Sequence, residues 1–272
     1  MRSRFFRTAG TIRAPKFIFQ PGEVRHAMAF GTMSLTVAVV ERSDGSLVLV
    51  DCGHAEEVCA NPSAVLGVLG ALASGLEATA DDALVRQLVE LGYDPSRVTH
   101  VVATHLHADH VGAIKDFPNA ELVVSRNEFD AFLAVPRRPG YRKQDLVDAG
   151  RIRLVDLKGE RRFGFPGSFD LFGDGEVVLL DANGHTRGAV AVAIDDGKRP
   201  YIHIGDAAYQ SWEYGLAPAG PSRLSKITVW NEPALHETYR ILRDAENLER
   251  RPILVPAHDN DVYLTLPHDA QG

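Results

Sequence analysis

Thr104-His105-Leu106-His107-Ala108-Asp109-His110 is the stretch on which the fold turns. It sets four metal-competent side chains within six residues. Imidazole and carboxylate are the donors that divalent ions take at hydrolytic sites. The preceding residues, Val98-Thr-His-Val-Val-Ala103, are apolar and largely β-branched, and predict a buried strand that stops where the cluster begins. Val111-Gly-Ala-Ile-Lys-Asp116 can start a helix. Donors in the turn from a strand's carboxyl end into a helix occupy the place where open α/β sheets put their chemistry.

Outward from this strand, short apolar runs recur at Leu35–Val40, Leu47–Val50, Leu122–Val124, Ile152–Val155, Val177–Leu180, Val190–Ile194, Tyr201–Ile204 and Ile253–Val255. Asp44-Gly45 between the first two signals a hairpin. Between strands lie helical patterns. Ala80 to Leu91 has apolar residues at Ala80, Leu84, Leu88 and Leu91, acids in its first turn and Gly92 as its stop. Asn231 to Arg250 begins with Asn231 as cap and Pro233 in the first turn, with Leu235, Thr238, Ile241, Leu242, Ala245 and Leu248 on one face. Hairpins followed by strand–helix alternation predict an α/β architecture with mixed sheets and helices on the outer faces. No low-complexity linker interrupts residues 1–272, so one domain is expected, with 1–30 as an N-terminal extension. Its Phe5, Phe6, Phe17, Phe19 and Phe30 either cover the core or form a homodimer contact. Segments 136–142, 159–168 and 208–224 read as long loops, which in compact domains usually carry function.

At 45% apolar residues the chain can bury a sizeable core. A formal charge of −7 argues against a nucleic-acid partner, since phosphate binding wants a basic face. No apolar run approaches membrane-spanning length. Met1-Arg-Ser-Arg-Phe-Phe-Arg7 has charge but no apolar stretch behind it, which disfavours a signal peptide. Cys52 and Cys59 make neither a disulfide framework nor a thiolate metal site. A soluble, cytoplasmic protein is expected.

Three further donors repeat the placement of the first cluster. His185 follows the run Val177–Leu180 after Gly184, which allows a sharp turn. Asp206 follows His203-Ile204-Gly205, and His258 follows Val255-Pro256-Ala257. Strands of one sheet aim their ends at a common point, so these donors are candidates for the same site as the His-rich turn. His26, His54, His100, His203, His236 and His268 occupy no such motif position and read as structural or surface residues. His54 is the one to watch, because it follows Asp51-Cys52-Gly53 at another strand end.

This His-x-His-x-Asp-His string, followed by a lone His, a lone Asp and a final His, resembles the metallo-β-lactamase superfamily of hydrolases. The resemblance runs from about Leu35 to His258. It implies an αββα sandwich of two similar halves. It also implies two divalent metal ions, one held by His105, His107 and His185, the other by Asp109, His110 and His258, with Asp206 bridging. Zinc is the default for these donors, and iron, manganese or cobalt fit the same set. Asp51 corresponds to an acid that orients a ligating imidazole. Cys52 departs from the usual Thr there.

Two ions sharing a carboxylate can hold a hydroxide between them at neutral pH and polarise a carbonyl or phosphoryl oxygen. The resemblance therefore implies a metal-dependent hydrolase with Asp109 in the catalytic centre. Asp206-Ala207-Ala208-Tyr209 resembles the N-acyl homoserine lactonases, in which an Asp-x-x-Tyr sets a phenol against the lactone ring oxygens. Tyr209 would then donate to the developing oxyanion. Trp212, Tyr214 and Leu216, with Phe163, Phe165 and Phe169, could line an acyl pocket, although ordinary loop packing is the simpler reading for the phenylalanines. The β-lactamases of the superfamily carry another residue at the Asp206 position. Glyoxalase-type thioesterases resemble chains with a helical region after the final His, for which some 14 residues leave no room. The expected reaction is therefore lactone opening on a small-molecule substrate such as an acyl-homoserine lactone. An esterase, thioesterase, phosphodiesterase or phosphotriesterase is the alternative.

Overall fold

The structure is a computed structural model that describes residues 1–16, 30–135, 138–215 and 220–267. Phe17, Phe19, His26, Leu216 and His268 lie outside the described residues, as do parts of the 136–142 and 208–224 loops. Strands β1 (Arg2–Pro15), β2 (Phe30–Glu41), β3 (Leu47–Val50), β4 (Leu76–Glu77), β5 (Val98–Val102), β6 (Glu121–Ser125) and β7 (Ile152–Val155) form one sheet in the order β4-β1-β2-β3-β5-β6-β7. Strands β8 (Ser168–Asp170), β9 (Val177–Asp181), β10 (Val190–Ile194), β11 (Tyr201–Gly205) and β12 (Ile253–Pro256) form the second, in the order β12-β11-β10-β9-β8. Both sheets are mixed. β3, β5, β6 and β7 run parallel and β1–β3 antiparallel, while β11–β12 is the parallel pair of the second sheet.

Alternation along each strand sorts its side chains into three apolar layers. In β2, Ala38 and Val40 point between the sheets, where they meet Val177, Leu179, Val190 and Val192. Val37 and Val39 point the other way, against helix α3 (Leu84–Glu90) through Leu84 and Leu88. The second sheet turns Val178, Leu180, Ala191 and Ile202 outward onto Leu235, Tyr239 and Leu242 of helix α8 (Glu232–Ala245). Helix, sheet, sheet, helix is the expected αββα layering. Both faces of each sheet are covered, which is why the strands read as continuous apolar runs. The other helices are α1 (Glu56–Ala60), α2 (Pro62–Ser74), α4 (Ala108–Val111), α5 (Arg126–Ala134), α6 (Lys143–Asp148), α7 (Ser225–Thr228) and α9 (Asn260–Tyr263).

Several elements differ from expectation. Arg2–Pro15 is not an extension but β1, hydrogen-bonded along β2 and burying Phe5 and Phe6. Of the phenylalanines described in that segment, only Phe30 is exposed. The pattern from Ala80 splits: the Asp82 carboxylate accepts from Thr79 N and Oγ1, closing a 3₁₀ turn over Ala80–Asp82, and Ala83 is extended before α3 starts. α8 begins as read, with Asn231 Oδ1 accepting from Ala234 N, but ends at Ala245 rather than Arg250. No helix among the described residues is long and apolar enough to cross a membrane.

Candidate metal centre

Every donor singled out in the sequence lies just past the carboxyl end of a strand. His105, His107, Asp109 and His110 follow β5, with α4 carrying the last two; His185 follows β9, Asp206 follows β11 and His258 follows β12. Gly184 makes the β9 turn possible: its φ is +131°, and a Cβ there would stand 2.5 Å from the Leu235 backbone.

These turns bring the seven side chains together. His105, His107, His185 and Asp206 each offer a donor atom within 4.8 Å of the others, and Asp109, His110 and His258 form a second group by the same measure. Asp206 faces both. Its Oδ1 lies 3.2 Å from His110 Nε2 and 3.3 Å from His258 Nε2, while Oδ2 lies 3.4 Å from His185 Nε2 and 3.7 Å from His105 Nε2. Asp109 Oδ2 stands 3.7 Å from His110 Nε2 and 3.8 Å from His258 Nε2. His107 Nδ1 is 3.2 Å from His185 Nε2.

Outer contacts aim these rings. Asp51 sits in the left-handed region at φ 59° directly after β3, and its carboxylate accepts from Thr104 N and Oγ1, both at 2.8 Å. The same carboxylate lies 2.7 Å from His110 Nδ1, which leaves Nε2 for the interior. His258 Nδ1 is 2.8 Å from the Ser34 carbonyl, and His105 Nδ1 is 3.1 Å from Thr104 Oγ1. His105 Nε2, His110 Nε2 and Asp206 Oδ1 are buried without a hydrogen-bond partner among the described residues. Orphaned nitrogens and a carboxylate oxygen facing one another are costly unless a cation satisfies them, so the residues present fit divalent metal ions.

Three of the five imidazoles are held in the neutral form. Burial and neighbouring imidazoles hold His105 well below the usual histidine range, and burial with His185 takes His107 to about 3. Burial likewise lowers His185 to about 4. Neutral imidazoles are ready ligands. At His110 burial pulls down, but Asp206, Asp51 and Asp109 outweigh it and the ring is pushed well up. Burial alone would raise Asp206, but His110 and His258 hold it well below the carboxylate range.

Tyr209 lies across both groups. Its ring centroid is 5.7 Å from that of His185 and 4.9 Å from that of His258, and its hydroxyl is 3.2 Å from Thr228 Oγ1. Burial and the Asp206 charge raise its pKa well above the ordinary value.

Two buried acids escaped the sequence reading. Glu128 accepts from Leu106 N at 3.0 Å, Tyr141 Oη at 3.0 Å and Gly188 N at 3.1 Å, fastening the turns that carry His107 and His185. Glu213 accepts from Tyr209 N, Ser222 N and Tyr239 Oη. The remaining described histidines lie outside both groups. His203 Nε2 is 2.8 Å from the Thr36 carbonyl, and His236 is half exposed. His54 is buried near Asp109, whose charge opposes the lowering that burial imposes on it. Phe165 and Tyr214 pack in the outer core beneath α8, and Phe169 packs against the layer between the sheets, which leaves Trp212 as the part-exposed aromatic of the 208–224 loop among the described residues.

Residues 31–225 match the family model for the metallo-β-lactamase superfamily. A "Probable metallo-hydrolase" of Mycobacterium tuberculosis is 34% identical over 266 residues, covering 94% of this chain and 83% of its own length. The N-acyl homoserine lactonase AttM of Rhizobium radiobacter is 31% identical over 181 residues, 64% of this chain and 66% of AttM. Among solved structures, a variant of B. thuringiensis AiiA with N-decanoyl-L-homoserine bound at the active site superposes with a TM-score of 0.75 at 19% identity, covering 99% of this chain and 97% of that one. AidC, a dizinc quorum-quenching lactonase in complex with its product, gives a TM-score of 0.67 at 17% identity over 99% and 96% of the two chains. With its layering, its clustered donors and these relatives in agreement, the chain belongs to the metallo-β-lactamase superfamily and is a metal-dependent hydrolase.

Proposed function

We propose that this hydrolase opens lactone rings of the acyl-homoserine type. The observation that carries the reading is Tyr209, whose ring lies against His185 of one donor group and His258 of the other, with its hydroxyl held by Thr228. The curated relatives named N-acyl homoserine lactonases support the choice of substrate class. In this reading His105, His107 and His185 would hold one divalent ion and Asp109, His110 and His258 a second, with Asp206 between the two groups. Zinc suits these donors first. When bound, such a pair supplies an activated water and polarises the acyl carbonyl.

The chain's own residues then do three things. Asp51, Thr104 and the Ser34 carbonyl keep the imidazoles turned inward, so the donors need no rearrangement. Tyr209 Oη donates to the oxygen on which negative charge develops, or to the departing ring oxygen. Thr228 fixes where that proton waits: its hydroxyl donates to the Ser225 carbonyl at 3.0 Å, so in the resting enzyme it accepts from Tyr209. Both cysteines are free and buried, in keeping with work in a reducing cytoplasm.

Tyr209→Phe tests the assignment. Lactone kcat should fall by about tenfold or more, the loss of one transition-state donor, with metal content unchanged. No lactone turnover by the metal-loaded parent would remove the reading in favour of an esterase or phosphodiesterase, and parent-like lactone turnover by Tyr209→Phe would remove the phenol as a transition-state donor.

A further inference from the structure

Tyr209 is restrained at both ends by one closed circuit of hydrogen bonds. From its backbone, Tyr209 N donates to Glu213 Oε2 at 3.0 Å. The other carboxylate oxygen, Glu213 Oε1, accepts from Ser222 N at 3.1 Å. Ser222 Oγ in turn accepts from Ser225 N at 3.1 Å, and the Ser225 carbonyl accepts from Thr228 Oγ1. Thr228 Oγ1 closes the circuit on Tyr209 Oη. A further bond anchors the circuit to rigid structure: Tyr239 Oη of α8 donates to Glu213 Oε2 at 3.0 Å. Tyr239 is fully buried in the core between α8 and the second sheet. Glu213 itself has no exposed surface, so it is a buried carboxylate whose cost is offset by three donors.

We propose that Glu213 is a positioning residue that ties Tyr209 to helix α8, so that the phenol stands over the donor groups before substrate arrives. The inference rests on the lactonase reading for the role of the phenol, but not for the restraint itself. A side chain that merely waits in place has its rotamers removed in advance, and donors arranged before the reaction need no reorganisation during it. Glu213 touches neither the seven donors nor, through Tyr209, more than the backbone end of that residue. Its influence on turnover therefore passes through the Tyr209 ring and vanishes when the hydroxyl is absent.

The experiment is a double-mutant cycle on the metal-loaded enzyme with an N-acyl homoserine lactone, using Glu213→Gln, Tyr239→Phe, Tyr209→Phe and the two double variants. Glu213→Gln should lower kcat by about tenfold with KM within about twofold, and by less than about twofold once Tyr209 is Phe. Tyr239→Phe, which keeps the core volume, should act in the same sense by about threefold, and carries the test if Glu213→Gln does not fold. An equal loss in both Tyr209 backgrounds overturns the proposal. A second readout is independent of lactone turnover: the Tyr209 ring resonance in ¹³C-tyrosine-labelled, substrate-free protein, assigned by its loss in Tyr209→Phe. It should shift or broaden in Glu213→Gln and Tyr239→Phe, and stay put in the exposed control Glu237→Gln. An unmoved resonance overturns the restraint whatever the kinetics. A moved resonance in a protein whose Tyr209→Phe form opens lactones normally upholds the restraint and overturns the catalytic role of the phenol instead, whereas a moved resonance in a metal-loaded parent that opens no lactone upholds the restraint and overturns the lactonase reading.

Discussion

At the scale of single residues, Asp51 carries an unusual combination of strain and charge. It holds a left-handed backbone conformation and faces Thr104 and His110 at once. Asn tolerates that conformation nearly as well, so Asp51→Asn isolates the loss of charge. Metal affinity at the Asp109, His110 and His258 group should weaken by about 10- to 100-fold, read by competition with a chelator. Unchanged affinity would mean that His110 is oriented by Thr104 alone. Glu213 makes a second prediction. Burial lifts its carboxyl from 4.5 to about 7. Between those values the folded protein binds a proton that the unfolded chain has released, so this group's contribution to stability falls as pH rises through the window. The fall amounts to about 3 kcal/mol at most. Urea unfolding at pH 5 and pH 8 should show a smaller difference in Glu213→Gln than in the parent, and equal differences would show that Glu213 does not titrate there.

Among elements, the turn after β9 is the tightest constraint. A methyl at Gly184 meets the backbone of α8, which cannot yield without dragging the outer layer with it. Gly184→Ala should cost about 2–3 kcal/mol and lose metal from the His105, His107 and His185 group, measured by denaturant unfolding and metal stoichiometry. Full metal content in a protein of parent stability would contradict this. The strands were legible because both faces of β2, β3, β5 and β9 are apolar, leaving long β-branched runs. β1 was not: Arg2, Arg4 and Arg7 interrupt its pattern, and its register with β2 shifts between Thr8 and Ile12, so no simple alternation survives. α2 was missed for the opposite reason, since it has no charged residue to mark a polar face and Gly67 breaks its helical backbone at φ 75°.

For the whole molecule, the sandwich explains why the donor set could be read and its supports could not. Donors past strand ends carry a local signature, a His or Asp after a β-branched run. Glu128 acts on backbone N–H groups of two distant turns, at Leu106 and Gly188, while Glu213 ties N–H groups of its own loop, at Tyr209 and Ser222, to Tyr239 of α8, and no residue pattern along the chain marks either acid for its role. The donors come from both sheets, so ions bound there brace the two layers against each other. With free metal at about a thousand times the dissociation constant, one site adds roughly 4 kcal/mol. Stripping metal from a chain of this length should therefore lower the melting temperature by about 10 °C. A chelator-treated sample melting with the parent would show that the layers need no such brace.

The order of strands around the site also sets a timetable for maturation. During translation the β5 turn emerges with donors for both groups, but its partners come from β9, β11 and, last, β12. The group around His105 can therefore be complete while His258 is still inside the ribosome, whereas the group around Asp109 waits for β12. A nascent chain would complete its two donor groups in sequence, and a stall before residue 258 would leave only the first of them whole.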